Sequence, residues 1–167
     1  MTDKSTSIPV PEPGEGKRGE QGYLAYLLRQ ASAAVRSAVE RALEDLDVTQ
    51  PQFLVMTLIN AYPGSSGADV ARAAMLTPQT VSLILTNLER DGRLSRTVSP
   101  THGRVQRMAL TDEGKALLAR CRERTAQIEA RLSASIPSGL EPAIRRWLVD
   151  IASLDLSIDK SPNELQD

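Results

Sequence analysis

The stretch Thr77–Asn87 gathers side chains that can read the edges of base pairs. Val81, Ile84, Leu85 and Leu88 recur at helical spacing and would fasten one face of a helix into a core. The opposite face then presents Gln79, Thr80, Ser82, Leu83, Thr86 and Asn87. Small donors and acceptors of this kind reach base edges in a major groove about 12 Å wide. Gln79 suits adenine N6/N7, Thr80 and Ser82 suit bases or phosphates, and Leu83 suits a thymine methyl. A plain amphipathic helix with a polar outside has the same pattern, so the helix alone leaves both readings open.

The charge that follows it favours one of them. Arg90, Arg93, Arg96, Arg104 and Arg107 stand against a single acid, Asp91, between residues 90 and 107, although the whole chain carries a net charge of only −1. Such a run can be a solvated surface. Beside a polar helix it also supplies the planar donors that suit phosphates and narrow minor grooves. Arg93, Arg96, Arg104, Arg107 and His102 are therefore candidate DNA contacts, together with Thr77 at the start of the helix.

At 167 residues the chain can build one core, and 41% apolar with 25% charged residues is ordinary for a globular protein. No apolar run approaches the ~18 residues of a membrane span, and the N-terminus has no hydrophobic signal core. The only cysteine, Cys121, excludes an intrachain disulfide. A cytoplasmic chain with no membrane partner is expected. Enzymatic classes find no support: His102 is the only histidine and has no ligand at metal spacing, and neither G-x-x-x-x-G-K nor G-x-S-x-G occurs. No cofactor is implied. A winged helix that binds only proteins is the nearer alternative, and it gives no reason for Arg96, Arg104 and Arg107 to flank a polar helix.

The elements that must hold these residues are legible from caps and periodicity. Residues 1–20, with Pro9, Pro11, Pro13, Gly14, Gly16 and Gly19, cannot bury enough apolar surface to offset their ordering entropy and read as a disordered tail. Leu24, Leu28, Ala31, Val35, Ala38 and Ala42 form a long helical stripe, widened by Leu27, Val39, Leu43 and Leu46. Its width calls for a second surface, either within the chain or on a second copy. Thr49 and Gln52, then Ser66 and Asp69, are spaced as capping boxes, and Thr77-Pro78 is a third helix start. After Gly92 the period falls toward two, giving strands over Leu94–Val98 and Val105–Leu110 around a turn at 99–103. Thr111-Asp112-Glu113 opens a long helix, and a last helix spans roughly Leu140–Leu154. The fold is mainly α with a small β-hairpin wing. Residues 48–111 are expected to form a winged helix-turn-helix, between N- and C-terminal helices over 21–47 and 112–156 whose dimerisation role is what a family resemblance implies.

With the order of these blocks in view, the sequence resembles the MarR family of bacterial transcription regulators from about Tyr23 to Leu154. The matching runs are Val70-Ala71, Leu76-Thr77-Pro78-Gln79-Thr80-Val81-Ser82, Leu88-Glu89-Arg90-Asp91-Gly92 and Leu110-Thr111-Asp112-Glu113-Gly114, the last resembling the family's L-T-x-x-G. The resemblance implies a homodimer joined through the first and last two helices, on double-stranded DNA with a pseudo-palindromic operator. It also implies repression relieved by a small aromatic or phenolic effector in a cleft between reader and dimer regions. Tyr23, Tyr26, Arg29, Phe53, Met56 and Tyr62 are the candidate cleft residues, and core packing explains most of them equally well. The family's wing carries D-x-R, and here the positions read His102-Gly103-Arg104. The minor-groove arginine is kept as Arg104, and its supporting acid is replaced by a residue that cannot make that salt bridge. Where many members place an arginine on the recognition helix, this chain has Leu83. Cys121, on an apolar stripe, reads as an inert core residue, with a redox switch as its alternative.

Overall fold

The computed structural model describes residues 10–98 and 106–156, with backbone only at 97, 98, 106 and 107. The chain divides into two compact units, residues 1–128 and 129–167.

In the first unit, α1 (Leu24–Leu43) runs into a 3-10 turn at Glu44–Leu46 that ends on Asp47 in the left-handed conformation, φ 52°. α2 (Gln50–Ala61) starts on the expected capping box. Thr49 Oγ1 accepts from Gln52 N at 3.4 Å, and Gln52 Oε1 accepts from Thr49 N at 2.8 Å. α3 (Gly67–Ala74) and α4 (Pro78–Arg90) follow, then β1 (Leu94–Val98), β2 (Gln106–Leu110) and α5 (Asp112–Ser135). The strands form one antiparallel pair in which Leu94 faces Leu110, Arg96 faces Met108 and Thr97 faces Arg107. Val105, expected to open the second strand, lies outside the described residues. Gly64 N donates to Met108 O at 3.2 Å and ties the turn after α2 to this hairpin.

The core lies where these elements converge. Leu43, Val55, Met56, Ile59, Val70, Val81, Leu88, Leu118 and Cys121 are essentially removed from solvent. Each large aliphatic side chain among them contributes about 1.5–3 kcal/mol by burial. Along α1, by contrast, only Leu43 is buried. Leu24 and Ala31 are exposed, and Leu28, Val35 and Ala38 are half-covered.

The segment read as a tail has local structure from residue 10 onward, including a 3-10 turn at Gly16–Arg18. Arg18 Nη1 donates to Pro11 O at 2.7 Å, and its Nε donates to Gln30 Oε1 of α1 at 3.4 Å. In the second unit, the end of α5 gives way to a turn with Gly139 at φ +82° and then α6 (Glu141–Ser153). Ser133 Oγ donates to Glu141 Oε1 at 3.4 Å across that turn. No residue of α6 is buried, although it carries Ile144, Trp147, Leu148 and Ile151 at helical spacing. No described helix is long and apolar enough to cross a membrane.

Candidate nucleic-acid interface

α3 is anchored by its own capping box. Ser66 Oγ accepts from Asp69 N at 3.2 Å, and Asp69 Oδ2 accepts from Ser66 N at 3.1 Å. The Ser66 hydroxyl, which donates to Asp69 Oδ2 at 2.6 Å, and then the Ser66 N–H, more than the neighbouring Arg72, hold the Asp69 carboxyl below its ordinary range. The helix ends on Met75, which adopts φ 52° and is 86% exposed. A left-handed residue at this position is usually glycine, because a Cβ crowds the next carbonyl. Met75 turns the chain sharply, with its N–H on Arg72 O at 3.2 Å and Leu76 N on Ala71 O at 3.1 Å.

α4 begins immediately. Thr77 Oγ1 accepts from Thr80 N at 3.1 Å and shares a hydrogen bond of 2.8 Å with Thr80 Oγ1, while Pro78 takes the first helical position. Val81, Ile84, Leu85 and Leu88 are buried, as their spacing requires. Gln79, Thr80, Ser82, Leu83 and Thr86 stand on the exposed side, and Asn87 is half-buried at its margin. The structure thus collects the sequence-selected reader residues on one solvent face.

The helix closes with a Schellman turn: Arg93 N bonds Leu88 O at 2.8 Å, and Gly92 N bonds Glu89 O at 3.0 Å, with Gly92 at φ +70°. This turn delivers the basic residues of the wing base to acids. Arg90 Nε lies 3.2 Å from Asp91 Oδ1, and Arg93 Nη1 lies 3.8 Å from Asp91 Oδ2. Arg96 Nε lies 3.0 Å from Glu89 Oε2, with the Arg96 side chain only 25% exposed. Arg96 follows Leu94 on the inner face of β1, which is why it points back to α4. The sequence offers Arg93 and Arg96 as DNA contacts, with nothing to pair them with Asp91 and Glu89. His102 and Arg104 lie outside the described residues, and of Arg107 only the backbone position is described.

The Arg96–Glu89 pair joins the hairpin to the reader helix, and half-exposed pairs of this kind are worth up to about 1 kcal/mol. A double-mutant cycle with Arg96→Gln and Glu89→Gln should show a coupling of roughly 0.5–1 kcal/mol in stability. Arg96→Gln should leave the salt dependence of DNA binding unchanged. A slope shallower by about one would instead put Arg96 on a phosphate.

The candidate effector residues differ in exposure. Tyr23, just before α1, and Arg29 on it are exposed, Tyr62 is exposed at the end of α2, Tyr26 and Phe53 are half-buried, and Met56 is 0% exposed. A cleft of about 710 Å³ in the first unit is lined instead by residues including Arg41, Glu44, Asp45, Arg120, Glu123 and Arg124. Arg124 Nη2 and Asp45 Oδ2 pair at 2.6 Å there. Cys121 is wholly buried, and burial pushes its thiol up from its ordinary range, which disfavours the reactive thiolate. Among the described residues no cluster of three His, Cys, Asp or Glu could hold a metal ion.

Two capped helices joined by a tight left-handed turn, followed by an antiparallel hairpin, define a winged helix-turn-helix protein. Residues 46–105 match the model of the MarR family. The HTH-type transcriptional repressor Rv2887 of Mycobacterium tuberculosis is 33% identical over 130 residues, covering 78% of this chain and 94% of that protein. The chain belongs to the MarR family. Its fold matches the crystal structure of Rv2887 in complex with salicylic acid at a TM-score of 0.64 and 32% identity, over 79% of this chain and 98% of that one. It also matches the transcriptional repressor CouR of Rhodococcus jostii RHA1 bound to a 23-mer DNA duplex, at a TM-score of 0.73 and 28% identity, over 83% and 98%.

Proposed function

We propose that this chain is a cytoplasmic transcriptional repressor that binds a pseudo-palindromic operator in double-stranded DNA as a homodimer and leaves it when a small aromatic or phenolic effector binds. The observation that carries the reading is α4, fastened by four buried aliphatic residues and capped at both ends, with its polar residues on one open face. Gln79, Ser82, Leu83, Thr86 and Asn87 meet base edges, Thr77 and Thr80 lie at the helix start near phosphate, and the wing contributes His102, Arg104 and Arg107. Arg93 and Arg96, paired with Asp91 and Glu89, hold the base of the wing beside the reader helix.

The homodimer is supported by what one chain leaves uncovered. Leu24 on α1 is exposed, as are Trp147, Leu148, Val149, Leu154 and Leu156 at and beyond α6. Apolar helices of this kind are covered by a second copy in two-fold assemblies. Two readers related by that axis address half-sites about one helical turn apart, or a multiple of it. The effector is supported by the relatives, since the Rv2887 complex holds salicylic acid. None of this is enzymatic chemistry.

Selection of bound fragments from genomic DNA, followed by affinity measurements across salt, tests the reading. Binding should fall with a log–log slope of about −0.9 for each phosphate neutralised. A flat response would sink the DNA reading and leave a module that binds proteins.

A further inference from the structure

We infer that the reader selects its operator largely through the 5-methyl groups of thymine, with Leu83 as the specificity-determining contact and Thr86 beside it. The inference rests on α4 being the DNA reader and specifies what that helix reads. Leu83 is 64% exposed at the centre of the open face, between Gln79 one turn before it and Thr86 and Asn87 one turn after it. An apolar side chain so placed gains nothing from the protein core. It does gain from a partner that offers apolar surface in the groove, and the thymine methyl is the apolar group that the major groove displays.

Of the hydroxyls around Leu83, that of Thr86 is already engaged and those of Thr77 and Thr80 engage each other, which leaves Ser82 as the free donor beside it. Thr86 Oγ1 donates to Ser82 O at 2.9 Å, so toward an outside partner Thr86 offers its methyl and acceptor lone pairs but no proton. Thr80 and Thr77 share a hydrogen bond of 2.8 Å between their own hydroxyls. From residue 79 to residue 87 the helix carries no lysine or arginine. The paired contact of a cation with guanine O6 and N7, the commonest specific one, is therefore not available to this part of the helix. Gln79 is left to take adenine N6 and N7, and Leu83 to take a thymine methyl nearby. Both favour A·T pairs, through different atoms.

One methyl removed from water is worth about fourfold in affinity, so two half-sites together give roughly sixteenfold. The test begins with a duplex that the full-length protein selects from a random-sequence pool. Its affinity is compared with that of the same duplex carrying deoxyuridine for every thymidine, which removes only the methyl groups. The thymine duplex should bind about sixteenfold more tightly. In Leu83→Ala, an exposed change that leaves the fold intact by circular dichroism and removes the contact from both half-sites, the ratio should fall toward one. A ratio near one in the unaltered protein, with sequence-selective binding retained, would overturn the inference and leave the DNA reading standing. A ratio that persists undiminished in Leu83→Ala would overturn Leu83 as the contact. Failure to enrich any duplex would overturn the DNA reading, and this inference with it.

Discussion

Gly114→Ala is expected to destabilise the protein by about 3 kcal/mol, near the upper end of the usual range for overpacking. A Cβ built at Gly114 stands 2.1 Å from the carbonyl oxygen of Arg93 and 3.0 Å from its carbonyl carbon. Both are backbone atoms, so no rotamer change relieves the clash. The surroundings are also tied together. Thr111 N donates to Arg93 O at 3.2 Å, Thr111 Oγ1 donates to Gly92 O at 2.7 Å, and the same Oγ1 accepts from Gly114 N at 3.1 Å. The first turn of α5 is thereby stitched to the turn that ends α4 and starts the wing. Moving α5 outward to admit a methyl group would break these bonds and displace Leu117 and Leu118 from the core. Denaturant unfolding at fixed protein concentration should show the loss as a lower midpoint with an unchanged slope. A change below about 0.5 kcal/mol would mean that the close approach of α5 to Arg93 is wrong.

This glycine marks the limit of what the sequence reveals. Leu110-Thr111-Asp112-Glu113-Gly114 is readable as a block, and Thr111 as a helix start, because capping depends on neighbours three residues apart. The reason for glycine is a contact with Arg93, twenty-one positions earlier, which no local pattern encodes. The same distinction runs through the site. The caps at Thr49, Ser66 and Thr77 and the buried face of α4 follow from spacing, and the structure has all of them. The pairing of Arg96 with Glu89 depends on how a strand lies against a helix, which a count of charges along the chain does not encode. Met75 gave no signal, since a left-handed turn is announced in a sequence by glycine or asparagine rather than methionine. Within residues 1–20, the turn at Gly16–Arg18 is not legible from composition, because Arg18 and Gln30 close it with polar bonds rather than a core.

Met56 separates the two roles that sequence reading left open for α2, core and effector cleft, and its replacement should be the second large effect. α2 is apolar on most sides: Phe53, Leu54, Val55, Met56, Leu58 and Ile59 leave no clear polar face by which to orient it. Packing orients it, with Val55, Met56 and Ile59 inward and Phe53 and Leu58 only partly covered. Met56→Ala removes a side chain that is 0% exposed and leaves a cavity among well-packed neighbours. Changes of this kind cost about 2–5 kcal/mol. The loss should be the same with and without salicylate as a probe ligand. At a temperature where the variant is folded, its DNA affinity should stay within about twofold of the unaltered protein. Arg29→Ala, on the exposed side of α1, should cost less than about 0.5 kcal/mol. A Met56→Ala protein of unchanged stability that no longer responded to salicylate would place this side chain in an effector cleft, because only a residue facing a ligand can lose the response without loosening the core.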